Sequence, residues 1–273
     1  MEILNSMKIR KLLFVFLSIT ILFACKKDEE LIDDIPREFG KVNMSFFHTV
    51  AGEDVIFDSL IYINEAGNKY QVDEIMYFIT DLEFVRDDSK VFTLSYDKSV
   101  HYIDIDVPES LNWKIEDNIP IGKYDSLRFV FGLDENRNKT FAFLNPPESS
   151  MFWPDVLGGG YHYLKLNGKW ENLENNIVPF NFHLGIGQFY SGDEFIIDSI
   201  TDFVHNHFTV SVPLSNFVVE KDKQTDLNLE MQLENWFRNP HIWDHNYWGG
   251  SIMQNQAAIR QACENGHDVF KQK

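Results

Sequence analysis

Cysteine is almost missing from this chain of 273 residues, with only Cys25 and Cys263 present. No disulfide framework can be built from that pair once Cys25 is committed elsewhere, so the fold must rest on a packed core. Positive charge is also scarce: 24 Lys and Arg stand against 42 Asp and Glu, a net charge of −18. Such a chain repels nucleic acid and anionic lipid, which excludes both as partners. Enzyme signatures are missing too. The sequence has no phosphate-cradling glycine loop with its lysine, no Gly-x-Ser-x-Gly elbow and no Cys-x-x-Cys pair. Its many carboxylates, Asp134, Glu135 and Asp155 among them, show no spacing that singles out an acid/base pair, and a solvated acidic surface accounts for most of them. No enzymatic activity is expected.

Long apolar runs are confined to the N-terminus. Lys8, Arg10 and Lys11 precede Leu12 to Ala24, broken only by Ser18 and Thr20. That stretch falls short of the ~20 residues a membrane span needs and has the layout of a signal segment. Leu22-Phe23-Ala24-Cys25 then reads as a bacterial lipoprotein processing site, with the Cys25 thiol as the atom that receives diacylglycerol. Loss of residues 1–24 removes three basic residues and one acidic residue, which moves the net charge from −18 to −20. Lipid on Cys25 must then do the membrane holding. Residues 25–40, with charged Lys26 to Asp34, are expected to form a flexible acidic tether. The tether resembles the one that directs lipoproteins of the Bacteroidetes to the outer face of the outer membrane. A plain solvated spacer is the alternative.

Aromatic residues, in contrast, are abundant at 15%, with 24 phenylalanines. Short alternating runs separated by turn signals such as Glu65-Ala66-Gly67-Asn68, Asp87-Asp88-Ser89 and Ser191-Gly192-Asp193 predict an all-β domain over residues 41–273. Strands are predicted over 42–50, 54–62, 75–85, 100–106, 126–133, 161–166, 177–184, 194–200, 208–214 and 227–233. The economical architecture is an antiparallel β-sandwich with a short C-terminal helix, where Ile252, Ile259 and Cys263 mark an apolar stripe and Asn265-Gly266 supplies a left-handed stop. Cys263 reads as a small core residue of that helix.

Nine histidines offer the only concentration of metal-ligating chemistry. Met151-Phe152-Trp153-Pro154 leads through Gly158-Gly159-Gly160 into a strand carrying His162, and one strand later comes Phe182-His183-Leu184-Gly185. Neutral imidazoles from neighbouring strands suit copper, zinc, iron or nickel. Alternation, however, puts His162 on the face of Leu164 and Leu166, and His183 opposite Phe182 and Leu184. The two meet only if the glycines bend the chain. His205 and His207 form a competing pair, as do His241 and His245 if a helical turn brings them together. His48 and His101 are either a third ligand or ordinary core residues.

Ile75-Met76-Tyr77-Phe78-Ile79-Thr80-Asp81-Leu82, Phe131-Gly132-Leu133-Asp134, Met151-Phe152-Trp153, Gly160 to Gly168, Phe182-His183-Leu184-Gly185 and Asn265-Gly266-His267-Asp268-Val269-Phe270 occur in this order. Together they resemble MbnP-like proteins, copper-binding partners associated with methanobactin systems that also occur as Bacteroidetes lipoproteins. The resemblance covers nearly all of 42–270. It implies a β-sandwich lipoprotein of the outer membrane, at its cell-surface or periplasmic face, that binds copper and takes part in copper acquisition or handling. It also implies copper ligands at His162 and His183, an adjacent tryptophan matched by Trp153 and oxidised in related proteins, and a dihaem cytochrome-peroxidase-like partner enzyme; His48, on the apolar face of its strand, is the candidate third ligand. Trp170, Trp236, Trp243 and Trp248 are other candidates for that tryptophan. A different class of function remains in view: a metal-independent interaction or ligand-binding module using exposed aromatic loops at Phe152-Trp153 and Trp243 to Trp248.

Overall fold

The computed structural model describes residues 38–86 and 90–273. The signal segment, Cys25, most of the tether and the Asp87-Asp88-Ser89 turn lie outside the described residues. Glu38–Lys273 forms one compact unit.

The strands run in chain order as β1 (Phe39–Val50), β2 (Glu53–Asp54), β3 (Tyr62–Ile63), β4 (Lys69–Val85), β5 (Val91–Thr93), β6 (Val100–Asp104), β7 (Asn112–Lys114) and β8 (Ile119–Pro120). They continue as β9 (Gly122–Phe131), β10 (Leu164–Glu171), β11 (Ile177–Leu184), β12 (Gly187–Tyr190), β13 (Ile200–Val204), β14 (Phe208–Val219), β15 (Gln224–Gln232) and β16 (Phe270–Gln272). One sheet has the order β16-β15-β1-β2, with β7 and β8 also on β1; the other runs β11-β10-β4-β9-β14, with β3, β5 and β6 also on β4. They pack as a β-sandwich: Tyr77 of β4 meets His48 of β1, and Phe129 and Phe131 of β9 meet Phe270 of β16.

Most predicted strands are present, with informative departures. Residues 54–62 pair only at their two ends, because Phe57 to Ile61 makes turns instead of a ladder. Residues 194–199 are the exposed connection of a separate hairpin, β12–β13, and not a strand. The sandwich is not wholly antiparallel: β1 and β15 pair in parallel. That follows from the connection after β14, which carries the chain from one sheet to the other, so β15 arrives beside β1 running the same way.

The helix Gln256–Asn265 is capped by the Asn255 side chain, which accepts from Ala258 N at 3.1 Å, and it buries Ala258, Ile259 and Ala262. Ile252 precedes it. Its stop is not left-handed: Gly266 has φ −66° and continues into a 3-10 turn. Glycine is required there by crowding, since a Cβ would lie 2.2 Å from Phe208 Cζ and 2.9 Å from Trp236 Cζ3. Cys263 packs against the core and its Sγ donates to Asn206 O at 3.3 Å; burial pushes the thiol pKa far up, so the thiol is inert as a nucleophile.

β4 explains how the site is positioned. Residues Ile75 to Thr80 are buried without alternation, because both faces of this central strand are covered. Tyr77 faces the sandwich interior. Phe78 faces the opposite side, stacked on Phe143 at 5.2 Å and tilted against Tyr102 at 5.3 Å, with Tyr161 edge-on at 6.5 Å. The loops from residue 134 to residue 163 therefore form an outer layer on this sheet. They end at His162.

Candidate metal centre

The loop that precedes His162 is tightly determined. Gly158, Gly159 and Gly160 have φ of 112°, 69° and 77°, a run that side-chain-bearing residues do not sustain. The turn lets Trp153 N donate to Gly160 O at 2.8 Å and brings Thr140 against the loop, where its hydroxyl accepts from Gly160 N at 3.1 Å. Asn138 Oδ1 takes the Tyr161 N–H at 2.8 Å. Trp153 is consequently fully buried, in a small cluster with Leu157 and Ile186, and its Nε1–H donates to Leu157 O at 3.0 Å. Gly185 makes room for the indole, since a Cβ there would sit 2.6 Å from Trp153 Cε3.

The tryptophan is thus not an exposed contact residue, and Trp243 is also buried. Of the aromatic loops expected to offer a contact surface, only Phe152 and Tyr247 are exposed. Burying an indole is worth a few kcal/mol of apolar transfer, which explains why the ring faces inward.

The structure brings His162 and His183 together. Their ring centres are 4.8 Å apart at an interplanar angle of 89°, and Trp153 lies edge-on to His162 at 4.7 Å. The face mismatch expected from alternation does not apply, because β10 begins at Leu164 and His162 precedes it, in the glycine turn's exit. His183 does follow the alternation: Phe182 meets Trp236 and Phe237 in the interior, so the imidazole lies on the outer face beside Lys165 and Asn167.

Hydrogen bonds fix which nitrogen of each ring is bare. His162 Nδ1 is 2.9 Å from Met151 O, an atom that only accepts, so Nδ1 carries the proton. His162 Nε2 is buried with no partner among the described residues. For His183 the assignment runs through two bonds. Asn167 Nδ2 donates to Glu74 Oε2 at 2.5 Å, which turns Asn167 Oδ1 toward His183 Nε2 at 2.7 Å. That nitrogen therefore donates, and Nδ1, buried and without a partner, holds the bare lone pair. Each ring is held by an acceptor on its far nitrogen, the arrangement that orients metal-ligating imidazoles.

The electrostatics keep both rings neutral. Burial lowers the His162 pKa to about 4, and burial, reinforced by repulsion between the two rings if both take a proton and by the Lys165 charge, lowers that of His183 to about 3. The Lys165 ammonium is held by Ser150 O at 2.6 Å, and burial lowers its own pKa. The pair also passes a test of reach. An ion about 2.0 Å from a ligating nitrogen lies roughly 3 Å from the ring centre, so two rings sharing one ion have centres within about 6 Å. The observed 4.8 Å meets that condition.

His48 is not brought to this pair. It lies in the sandwich interior, edge-on to Tyr77 at 5.8 Å, because β1 points it inward with Met44 and Phe46. No group of three or more His, Cys, Asp or Glu placed to hold an ion occurs among the described residues. His205 and His207 have ring centres 6.3 Å apart, with His207 Nε2 3.6 Å from Glu135. His101 stacks on Trp113 at 4.8 Å and bonds Ser110 O. His241 pairs with Glu264, while His245 is enclosed by Phe180, Phe237 and Trp170, so these two do not converge. Asn167 and Glu74 are the site residues that sequence reasoning missed. The only signal was Asn167 lying two residues beyond Lys165 on a strand that neighbours His183, which needs the register to be known.

A family model for MbnP matches residues 39–254. The chain belongs to the MbnP family. The matched span contains His48, Trp153, His162, His183, Asn167 and Glu74, so the whole candidate centre falls inside the MbnP region. Among solved structures the chain is similar to MbnP from Methylosinus trichosporium, at 14% identity and a TM-score of 0.48, covering 74% of this chain and 78% of that one. A comparison with curated proteins finds no match.

Proposed function

We propose that this MbnP-family chain is a non-enzymatic copper-binding protein of the cell envelope that takes part in copper acquisition or handling, with His162 Nε2 and His183 Nδ1 as ligands. The observation that carries the reading is the pair of bare, buried imidazole nitrogens on rings 4.8 Å apart. A buried polar atom without a partner costs about 1–3 kcal/mol, and two such atoms on adjacent rings are a cost that ligation removes. The donor set is two neutral imidazoles, which suit copper among the first-row metals, and membership of the MbnP family supports copper within that group. Trp153 walls one side of His162 and keeps water from that ring.

Lipid on Cys25 completes the proposal, holding the protein at the outer membrane. Mass spectrometry of the membrane-extracted chain is expected to show diacylglycerol on Cys25, lost in Cys25→Ala; an unmodified N-terminus would refute the anchor.

Binding is tested on tag-free protein by equilibrium dialysis against Cu(I), Cu(II) and Zn(II), with His162→Ala, His183→Ala and the double variant alongside. One copper per chain in wild type, and none retained in the double variant, is the expected result. Equal stoichiometry in wild type and double variant would overturn the ligand assignment.

A further inference from the structure

The β12–β13 hairpin is a two-stranded unit paired with neither large sheet, and its base is firmly seated. Gln188 Nε2 donates to Leu157 O at 2.9 Å and to Ile186 O at 2.7 Å, and Phe203 packs beside Gly158. At its tip residues 191–198 are all exposed, and there Phe195, Ile196 and Ile197 are about half exposed, at 51%, 51% and 45%, with Phe189 and Phe203 of the strands also exposed. Three consecutive apolar side chains left in water are a feature that folding does not require.

The tip is nevertheless ordered by its own bonds. Ser191 N donates to Ser199 O at 2.9 Å, Ser199 Oγ donates to Ile196 O at 2.8 Å, and Phe195 packs on Tyr190 with ring centres 5.5 Å apart. A preformed apolar tip loses little entropy on docking. Its charge then selects the occupant. From Gly187 to Val204 there are four carboxylates, Asp193, Glu194, Asp198 and Asp202, and no Lys or Arg. A symmetric contact between two copies sets these carboxylates against themselves. Anionic lipid is repelled for the same reason. What remains is a surface with an apolar recess and a basic rim, to which acidic residues steer and apolar ones anchor.

We propose that the tip Phe195-Ile196-Ile197, flanked in sequence by Asp193, Glu194 and Asp198 and followed by Asp202 in β13, is the docking element for a cationic protein partner that presents an apolar recess rimmed by Lys or Arg. The inference stands on the hairpin alone and does not depend on what the imidazoles bind. The probe is a fluorescein-labelled amphipathic helical peptide of leucine and lysine, titrated by anisotropy into the protein, with a leucine–glutamate peptide, phosphatidylcholine vesicles and sedimentation velocity of the protein alone as the other arms. Two variants separate the contributions. Ile196→Asp/Ile197→Asp removes the apolar anchor while making the tip more acidic, and Asp193→Asn/Glu194→Gln/Asp198→Asn removes charge while keeping the anchor. All five side chains are exposed, so thermal melting of both variants stays at the wild-type value. The expected result is binding of the leucine–lysine peptide that weakens about tenfold or more in each variant and is salt-sensitive. Retention of wild-type affinity in either variant, equal binding of the leucine–glutamate peptide, vesicle binding that needs Ile196 and Ile197, or self-association through the tip would each overturn the proposal.

Discussion

Asn167→Leu isolates the orientation of His183 from its presence. The wild-type amide accepts from His183 Nε2 at 2.7 Å and is itself held by Glu74 at 2.5 Å. Leucine has similar bulk and no acceptor. The ring then either keeps its proton on Nε2 with no partner, or moves the proton to Nδ1, the nitrogen proposed to ligate. The first outcome costs the apoprotein about 1–3 kcal/mol, as for any buried donor left unpaired. Both weaken the metal. Loss of an outer partner of a ligating histidine lowers affinity about 10- to 100-fold, which is about 1.4–2.7 kcal/mol. Affinity is read by competition with a chromophoric Cu(I) chelator at neutral pH, and apoprotein stability by urea unfolding. Asn167→Asp serves as the control: it keeps an acceptor for Nε2–H while setting a second carboxylate against Glu74, so it is expected to lose stability but less copper affinity than Asn167→Leu. Copper affinity of Asn167→Leu within threefold of wild type, in a protein where His183→Ala abolishes binding, would refute the relay.

Three further outcomes follow from the same geometry. Gly185→Ala forces a methyl to within 2.6 Å of Trp153 Cε3 in a fully buried cluster and is expected to cost about 1–3 kcal/mol in urea unfolding; an unchanged midpoint would mean the indole is free to move. Lys165→Gln removes a half-buried ammonium from beside both rings and is expected to raise copper affinity about three- to tenfold, with no change showing that water screens that charge. Acid stability carries a sign. Burial, the largest cause in each case, lowers His48, His101 and His162 to about 4 and His183 and His245 to about 3, all from 6.5. The unfolded chain takes up protons below 6.5 while the folded chain does not, so stability is full above that pH and is lost as pH falls toward 4, by about 1.4 kcal/mol per pH unit for each such histidine. A melting temperature that stays flat from pH 7 to pH 5 would contradict this.

The fold class was legible because period-2 alternation survives wherever one sheet face is buried, as along Ile177 to Leu184 and Phe208 to Leu214. It failed at Phe57 to Ile61 and at Glu194 to Ile197, where apolar residues line turns and an exposed tip, because apolar content alone does not report a ladder partner. Gly266 was misread for a related reason: glycine before a chain reversal signals φ > 0 or crowding equally well, and here Phe208 and Trp236 decide it.

Within the site, motif order and residue type named His162, His183 and Trp153, and the structure sets their rings side by side. What alternation got wrong was the reach of the strand: three left-handed glycines end the pleat before His162, and so a histidine assigned to the wrong face arrives beside its partner. The burial of Trp153 and the Asn167–Glu74 relay depend on register and on long-range contacts, which local pattern does not encode. His48 shows the converse, since a histidine on an apolar face was an ordinary core residue packed on Tyr77.

Diffraction from copper-loaded crystals, with anomalous differences collected at the copper edge, tests the central claim most directly. One peak per chain is expected, about 2.0 Å from both His162 Nε2 and His183 Nδ1. A peak at His205 and His207 or at any other group, with none between His162 and His183, would contradict it.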